Sequence, residues 1–128
     1  MATVSFLGLA SAVPANCHAQ LDIYEQFVVP RLGQYRLVRA AFVGAEIEYR
    51  HSVLPDGHFY DSEQSTEARN RAYMEHARLL GAEAVRRCLA DARLAAGEVD
   101  EFIVVSCTGQ DTPGLDLLLA ADLGMRYD

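Results

Sequence analysis

The sequence predicts an α/β fold with a mostly parallel sheet and a long buried helix, and three observations lead to it. Residues 3–9 are apolar and rich in β-forming residues, as in a buried strand, and residues 101–106 are apolar without alternation, as in a strand that is covered on both faces. Residues 66–94 carry apolar side chains at helical spacing. The elements follow one another as strand, helix, irregular segment, long helix, strand, loop and helix, the order typical of a parallel sheet. Two strands are few for such a sheet, which indicates that part of a larger fold is represented.

The first half of the chain has one clear helix. Residues 20–32 show an amphipathic pattern, and Pro30 is expected to weaken or end the helix. Residues 16–18 are expected to form a loop. Residues 36–47 mix β-branched residues with alanines, so the segment fits a helix and a strand alike. Residues 49–65 are polar, with proline and glycine, and predict an irregular, partly exposed loop.

The long helix over residues 66–94 is the best defined element. Ser65 or Thr66 can cap its N-terminus, and Glu67 lies in the first turn, where the helix dipole favours a carboxylate. Residues 95–97 end it. One face carries small residues that permit the close approach of another helix, namely Ala77, Gly81 and Ala84.

A last helix is predicted near the end of the sequence. Thr112 and Pro113 fit its N-cap and first helical residue, and Gly124 fits its stop. Asp116 falls in the first turn, and we expect it to interact with the N-terminal amides of this helix.

The composition predicts one soluble globular domain over residues 1–128, because 51% of the residues are hydrophobic and 23% are charged. The net charge of -7, without a large arginine cluster, disfavours nucleic acid as a partner. All eleven basic residues are arginines, which excludes a Schiff-base lysine. No apolar run approaches the roughly 20 residues of a membrane span.

The cysteines and the N-terminus predict a cytoplasmic location. Cys17, Cys88 and Cys107 are far apart in the sequence and odd in number, so they form neither a disulfide framework nor a zinc motif. The first residues lack the positive region of a signal peptide. A reducing compartment is the simpler expectation.

Two segments resemble a known family. Residues 89–106 join the end of a helix, a short polar turn and an apolar strand, a pattern that resembles enzymes of the thiolase fold. Residues 106–116 have the sequence SCTGQDTPGLD and are followed by an LG pair, and this string is similar to type III polyketide synthases of the chalcone and stilbene synthase kind. Residues 46–50 and 68–77 fit the same family in order and spacing. The resemblance therefore implies part of the first half of a thiolase-like fold.

The resemblance implies a decarboxylative condensing enzyme. A cysteine accepts a starter acyl group from a coenzyme A thioester, and malonyl-CoA units then extend it. Acyl-CoA and malonyl-CoA are thus expected as substrates, without a further cofactor. In the family, the catalytic cysteine, histidine and asparagine lie beyond the segment matched here, so none is assigned to a residue of this chain. We expect the polypeptide, truncated before that cysteine, to be inactive alone and the intact enzyme to be a homodimer.

The resemblance also implies candidate binding residues. It places Cys107 on the wall of the acyl-binding cavity and Thr108 in the same loop; a nucleophilic or plain packing role for Cys107 and turn hydrogen bonding for Thr108 stay open. Thr112 matches a position that reaches across the dimer interface into the partner's cavity, usually methionine in plant enzymes, with helix capping as the alternative. Arg50 matches a position that binds coenzyme A phosphates, although it has acidic neighbours and also fits a solvated arginine.

Two other functions stay open. The chain can be a non-catalytic remnant that self-associates or binds a partner, because an isolated piece of this fold exposes strand edges and apolar faces. It can also be a segment of an enzyme like ketoacyl synthase III, although the string over residues 106–116 disfavours this. A metal site is not expected, since the histidines lack ligand spacing: His18, His51, His58 and His76.

Overall fold

The computed structural model describes residues 3–54, 57, 59 and 61–126, and the chain forms two compact units. One unit comprises Met1–Ala12 and Gln64–Asp128, and the other comprises Val13–Glu63. The first contains the long helix and the last helix. The second contains the other helical segments and a small sheet.

The unit Val13–Glu63 is built from short helices and two short strands. In chain order they are β1 (Asn16–Ala19), α1 (Gln20–Ile23), a π-helical turn (Tyr24–Val28), α2 (Val29–Leu32), α3 (Arg36–Gly44) and β2 (Tyr49–Ser52). The strands pair antiparallel, with Asn16 opposite Ser52 and Ala19 opposite Tyr49. The pairing places the residues at the start of the unit beside the residues that follow α3.

The predicted amphipathic helix over residues 20–32 is confirmed, with a π-helical turn in its middle. Pro30 has no N–H to donate to the carbonyl four residues earlier, and the turn that precedes it is π-helical rather than α-helical. The helix nevertheless continues to Leu32. It ends at Gly33, whose φ of 82° lies in the left-handed region that glycine adopts without steric cost.

The core of this unit joins α1 and the π-helical turn to α3. Tyr24 and Val28 are buried, and the ring of Tyr24 packs on that of Phe42 with centroids 5.5 Å apart. Gln20 is only 4% exposed. Its backbone N–H donates to the Glu48 carbonyl at 2.8 Å, and its side-chain Nε2 donates to the Phe42 carbonyl at 3.1 Å. A buried amide therefore links three segments, as buried polar groups require.

Two expectations for this unit are corrected. Residues 16–18 are not a loop, because they form most of β1, and the predicted loop over residues 49–65 begins with β2. Both strands are short, and none of their residues is fully buried, so their side chains give no alternating hydrophobic pattern. They form through backbone pairing across a long separation in sequence. For residues 36–47 the structure selects the helix, α3.

The other unit is organised by α4 (Thr66–Ala92), which confirms the predicted long helix. Ser65 is its N-cap, and its Oγ accepts a hydrogen bond from the Ala68 N–H at 3.1 Å. The helix ends slightly before residues 95–97, because Arg93 adopts a left-handed φ of 58° and the Leu94 N–H donates back to the Leu89 carbonyl. A short 3₁₀ turn follows at Ala96–Glu98.

The last helix, α5 (Leu115–Leu123), begins later than predicted. Its N-cap is Gly114, so the expected capping by Thr112 with Pro113 as the first helical residue is wrong. The predicted stop at Gly124 is confirmed: its φ is 68°, and the Met125 N–H donates to the Ala120 carbonyl at 2.9 Å.

The helices α4 and α5 pack through the small face of α4. A Cβ atom placed on Gly81 would lie 3.1 Å from Leu119 Cδ1, so this glycine permits the close approach. Leu119 is buried here, as is Met125 after the helix. The expected burial of α4 is wrong for this chain, since among its described residues only Met74 and Ala82 are buried. Too few elements lie against the helix to cover its faces.

The two predicted apolar strands are also absent from the structure. Residues 3–9 and 101–106 are not strands, and within the described ranges the one sheet is the antiparallel pair of β1 and β2, so the mostly parallel sheet is not observed. A strand needs a neighbouring backbone to pair with, and these segments have none. Most of their side chains are exposed, with Phe6 100% and Val105 91% exposed, whereas Phe102 and Val104 are half-buried.

The N-terminal segment instead lies along α4. The Leu9 N–H donates to Asp91 Oδ2 at 3.1 Å. A Cβ atom on Gly8 would lie 2.7 Å from the Cys88 carbonyl oxygen, so only glycine permits this approach of backbone to helix.

Candidate functional site

The loop over residues 106–112 is fixed at two points by side chains of α4. Asn70 Nδ2 donates to the Gln110 carbonyl at 2.9 Å, and Asn70 Oδ1 accepts from the Gln110 N–H at 3.0 Å. Tyr73 Oη lies 2.6 Å from Ser106 Oγ. One turn of α4 therefore holds the loop at Ser106 and at Gln110, and Cys107 and Thr108 lie between these two anchors.

The candidate residues Cys107 and Thr108 have exposed side chains in this loop. Cys107 Sγ lies 3.9 Å from Thr108 Oγ1, and no imidazole in the described part of the chain hydrogen-bonds to the thiol. The following helix begins only at Leu115, so Cys107 does not belong to its first turn, where the helix dipole acts on a thiolate. The geometry thus offers the two side chains as surface groups without the partners of a nucleophile.

Thr112 lies at the end of the loop. Its side chain is exposed, and its N–H is bonded to Asp111 Oδ1 at 2.7 Å. Because Gly114 takes the N-cap position, the hydroxyl of Thr112 does not cap α5. Asp116 falls in the first turn of α5, where a carboxylate is favoured, but it makes no side-chain cap.

Arg50 belongs to the other unit, where it lies on β2. Its Nε donates to Oε1 of the buried Gln20 at 2.5 Å. The residue itself is exposed, and among the described residues no bond is seen to its two terminal nitrogens. Gln20 thus orients a guanidinium whose outer nitrogens are available to an anion.

Three residues of these networks were not identified from the sequence: Gln20, Asn70 and Tyr73. Each lies on a predicted helix, where a polar or aromatic side chain ordinarily indicates a solvated face or core packing. Their partners lie between 30 and 40 residues away, as for Gln20 with Arg50 and for Asn70 with Gln110. No local pattern in the sequence signals such a pairing.

A shallow cleft of about 390 Å³ lies along the N-terminal half of α4. Its arginines are already paired, Arg71 with Glu67 at 2.5 Å and Arg78 with Asp122. Its lining includes Asn70 and Asp111, so it adjoins the anchored loop. Because both arginines are paired with carboxylates, the cleft gives no anion site of its own.

Metal and membrane features are absent from the described ranges. Within residues 3–54, 57, 59 and 61–126, no group of three His, Cys, Asp or Glu side chains converges as metal ligands. His58, one of the four histidines considered above, lies outside the described residues. None of the helices in these ranges combines the length and the hydrophobicity of a bilayer span.

The chain is similar in sequence to two bacterial enzymes. It is 30% identical to 3,5-dihydroxyphenylacetyl-CoA synthase of Streptomyces toyocaensis over 122 residues, which are 93% of this chain and 30% of that protein. It is 30% identical to 1,3,6,8-tetrahydroxynaphthalene synthase of Streptomyces peucetius subsp. caesius over 127 residues, 97% of this chain and 33% of the relative. The chain therefore spans about a third of the length of these relatives. No protein-family model matches it.

The fold has solved counterparts. The structure of 1,3,6,8-tetrahydroxynaphthalene synthase from Streptomyces coelicolor A3(2), a bacterial type III polyketide synthase, superposes with a TM-score of 0.78 at 25% identity. The match covers 94% of this chain and 36% of that structure. Sequence and fold thus agree on the same N-terminal portion of the same kind of enzyme.

Proposed function

The chain is a homologue of type III polyketide synthases that matches their N-terminal portion, and we propose that it supplies part of an acyltransferase that condenses a starter acyl-CoA with malonyl-CoA units. The observation that carries the proposal is the loop over residues 106–112. It contains the first part of the family-like string, and α4 fixes it while Cys107 and Thr108 stay uncovered. A fixed loop with uncovered side chains suits a wall that the rest of the enzyme completes.

The chemistry divides between this segment and the remainder of the protein. The nucleophilic cysteine and the groups that stabilise the oxyanion belong to the remainder. This segment contributes shape: the soft thiol of Cys107 and the methyl group of Thr108 can line a cavity for an acyl chain. Thr112 is proposed to face the cavity of a partner subunit, where its short side chain leaves more room than a methionine.

Arg50 is proposed to bind a phosphate of coenzyme A. The hydrogen bond from its Nε to Gln20 leaves the outer edge of the guanidinium for two parallel bonds to phosphate oxygens. Glu46 and Glu48 nearby in the sequence reduce the positive potential, so binding there depends on this one arginine.

The complete protein is proposed to be a homodimer with a mostly parallel sheet. Residues 3–9 and 101–106 become strands when neighbouring strands are supplied. Support comes from the exposure of apolar side chains at successive positions of the first segment, Phe6 and Leu7, which point to opposite faces of a strand. A strand with apolar side chains on both faces is stabilised when other elements of the fold cover both faces.

The test is an assay of the complete gene product with radiolabelled malonyl-CoA and a panel of starter acyl-CoAs. We expect a labelled polyketide and release of coenzyme A, and we expect the reading frame to continue into a strand followed by a Gly-Cys-Gly-type turn. The 128-residue chain alone is the matched control and should give no product. Absence of product from the complete protein with every starter would contradict the proposal.

A second candidate function is self-association without turnover. It is favoured by the exposed apolar side chains of residues 3–9 and 101–106. It predicts that the chain forms stable oligomers but that no product appears under any condition of the assay above.

A further inference from the structure

We propose that Asn70 and Tyr73 are positioning residues that set the shape of the 106–112 loop and so determine where Cys107 and Thr108 stand in the acyl-binding cavity. The existence of the cavity rests on the proposed function, whereas the anchoring of the loop by these two residues is seen in the structure. Neither residue belongs to the family-like string itself. Both lie on α4, one turn apart, and face the loop from the same side.

The amide of Asn70 binds both backbone groups of a single residue. Its Nδ2 donates to the Gln110 carbonyl and its Oδ1 accepts from the Gln110 N–H, at 2.9 and 3.0 Å. This is the exchange that a neighbouring strand would make with the loop backbone. The arrangement also fixes the amide orientation, because the flipped side chain would set donor against donor and acceptor against acceptor. The loop backbone at Gln110 is therefore held in position and in rotation.

The hydroxyl of Ser106 is the centre of the second anchor. Ser106 Oγ donates to the Gly109 carbonyl at 3.3 Å and accepts from the Thr108 N–H at 3.3 Å. A serine hydroxyl has one hydrogen and two lone pairs. While its hydrogen is given to the Gly109 carbonyl, it accepts from Tyr73 Oη, 2.6 Å away; in the alternative arrangement it donates to Tyr73 Oη instead. In either arrangement the contact with Tyr73 ties Ser106, and with it the turn that contains Cys107, to α4.

The ring of Tyr73 supports the same turn by packing. A Cβ atom on Gly109 would overlap Tyr73 Cδ1 and lie 2.7 Å from Cε1 and 2.9 Å from Asn70 Oδ1. The loop backbone is thus seated directly on the two α4 side chains, with room for hydrogen alone at Gly109. A binding wall needs such support behind it, because small displacements of its side chains change which substrates fit.

The experiment uses the complete gene product and three variants. Asn70→Ala removes both bonds to Gln110, and Tyr73→Phe removes only the hydroxyl and keeps the ring on Gly109. Glu75→Ala is the matched control, because Glu75 is an exposed residue of the same helix without a described bond to the loop. Hydrogen exchange of a peptide covering residues 106–112 is measured by mass spectrometry. The alkylation rate of Cys107 by iodoacetamide is measured with and without octanoyl-CoA as the probe of the cavity.

We expect Asn70→Ala to speed exchange of the loop peptide about tenfold and to weaken protection of Cys107 by octanoyl-CoA by a similar factor. Tyr73→Phe should change both in the same direction with the thermal midpoint retained, and Glu75→Ala should match the wild type. Unchanged exchange and protection in both variants would overturn the inference directly. If octanoyl-CoA fails to protect Cys107 even in the wild type, the cavity is elsewhere and the inference is overturned through its premise.

Discussion

Arg78 of α4 and Asp122 of α5 form a two-point ion pair, with Nε 2.5 Å from Oδ2 and Nη2 2.6 Å from Oδ1. The planar guanidinium and the carboxylate match in geometry, which strengthens such pairs. The pair is the one ionic link between the two helices that the described residues show. It fixes the rotation of α5 about the contact between Gly81 and Leu119.

The ion pair predicts an acid-dependent loss of stability. The hydrogen bond from Arg78 lowers the pKa of Asp122 below its ordinary value of 3.8, partial desolvation opposes this, and the charges of Arg78 and Arg86 lower it further. Because the pKa is lower in the folded state, the stabilisation is complete above pH 3.8 and is lost as the pH falls through the folded pKa. The pair is partly exposed, so the effect is small.

Asp122→Asn removes this acid dependence. Urea unfolding followed by circular dichroism at neutral pH and at about pH 3 should show a smaller difference for the variant than for the wild type. Glu101→Gln, which removes an exposed carboxylate, is the control and should retain the wild-type difference. Identical pH dependence of wild type and Asp122→Asn would contradict this role of the pair.

The packing of the 106–112 loop on α4 predicts that alanine substitutions at two glycines differ strongly in their effect on stability. Gly109→Ala should lower the free energy of unfolding by about 1–3 kcal/mol, because its Cβ meets the ring of Tyr73 and the amide of Asn70. Gly97→Ala is the matched control, since a Cβ there meets nothing within 4 Å. Thermal and urea unfolding compare the two, and equal effects would show that the loop does not rest on α4 as described.

The uncovered apolar segments predict self-association of the isolated chain. Phe6→Ser should shift the chain toward smaller species in size-exclusion chromatography, with little change in the free energy of unfolding, because Phe6 is fully exposed. Leu37→Ser, at an exposed leucine of α3, is the comparison and should leave the elution profile unchanged. A wild-type chain that elutes as a stable monomer would count against this prediction.

Local signals in the sequence were sufficient for the helices over residues 20–32 and 66–94 and for the end of α5. The cap at Ser65, the stop at Gly124 and the spacing within α4 depend on neighbours within a turn or two, so they could be predicted. The start of α5 was misplaced because a threonine before a proline also fits a turn that precedes a helix, and Gly114 takes the cap.

Features that depend on distant partners could not be predicted. Residues 3–9 have the composition of a buried strand, but a strand forms only beside another backbone. β1 and β2 form without any hydrophobic signal, because pairing across the unit is what stabilises them. The anchors at Asn70 and Tyr73 join α4 to residues 33 to 40 positions away. The family string therefore identified the loop, whereas its support became visible only in three dimensions.

The most direct test of the central claim replaces Cys107 with a larger residue in the complete protein and measures the size of the polyketide that is formed. If the loop forms a wall of the acyl-binding cavity, Cys107→Phe should shorten the polyketide or exclude longer starter acyl-CoAs, while malonyl-CoA is still decarboxylated. Cys17→Phe, at an exposed cysteine of the other unit, should leave the product unchanged. The same product distribution from Cys107→Phe and the wild type would contradict the account.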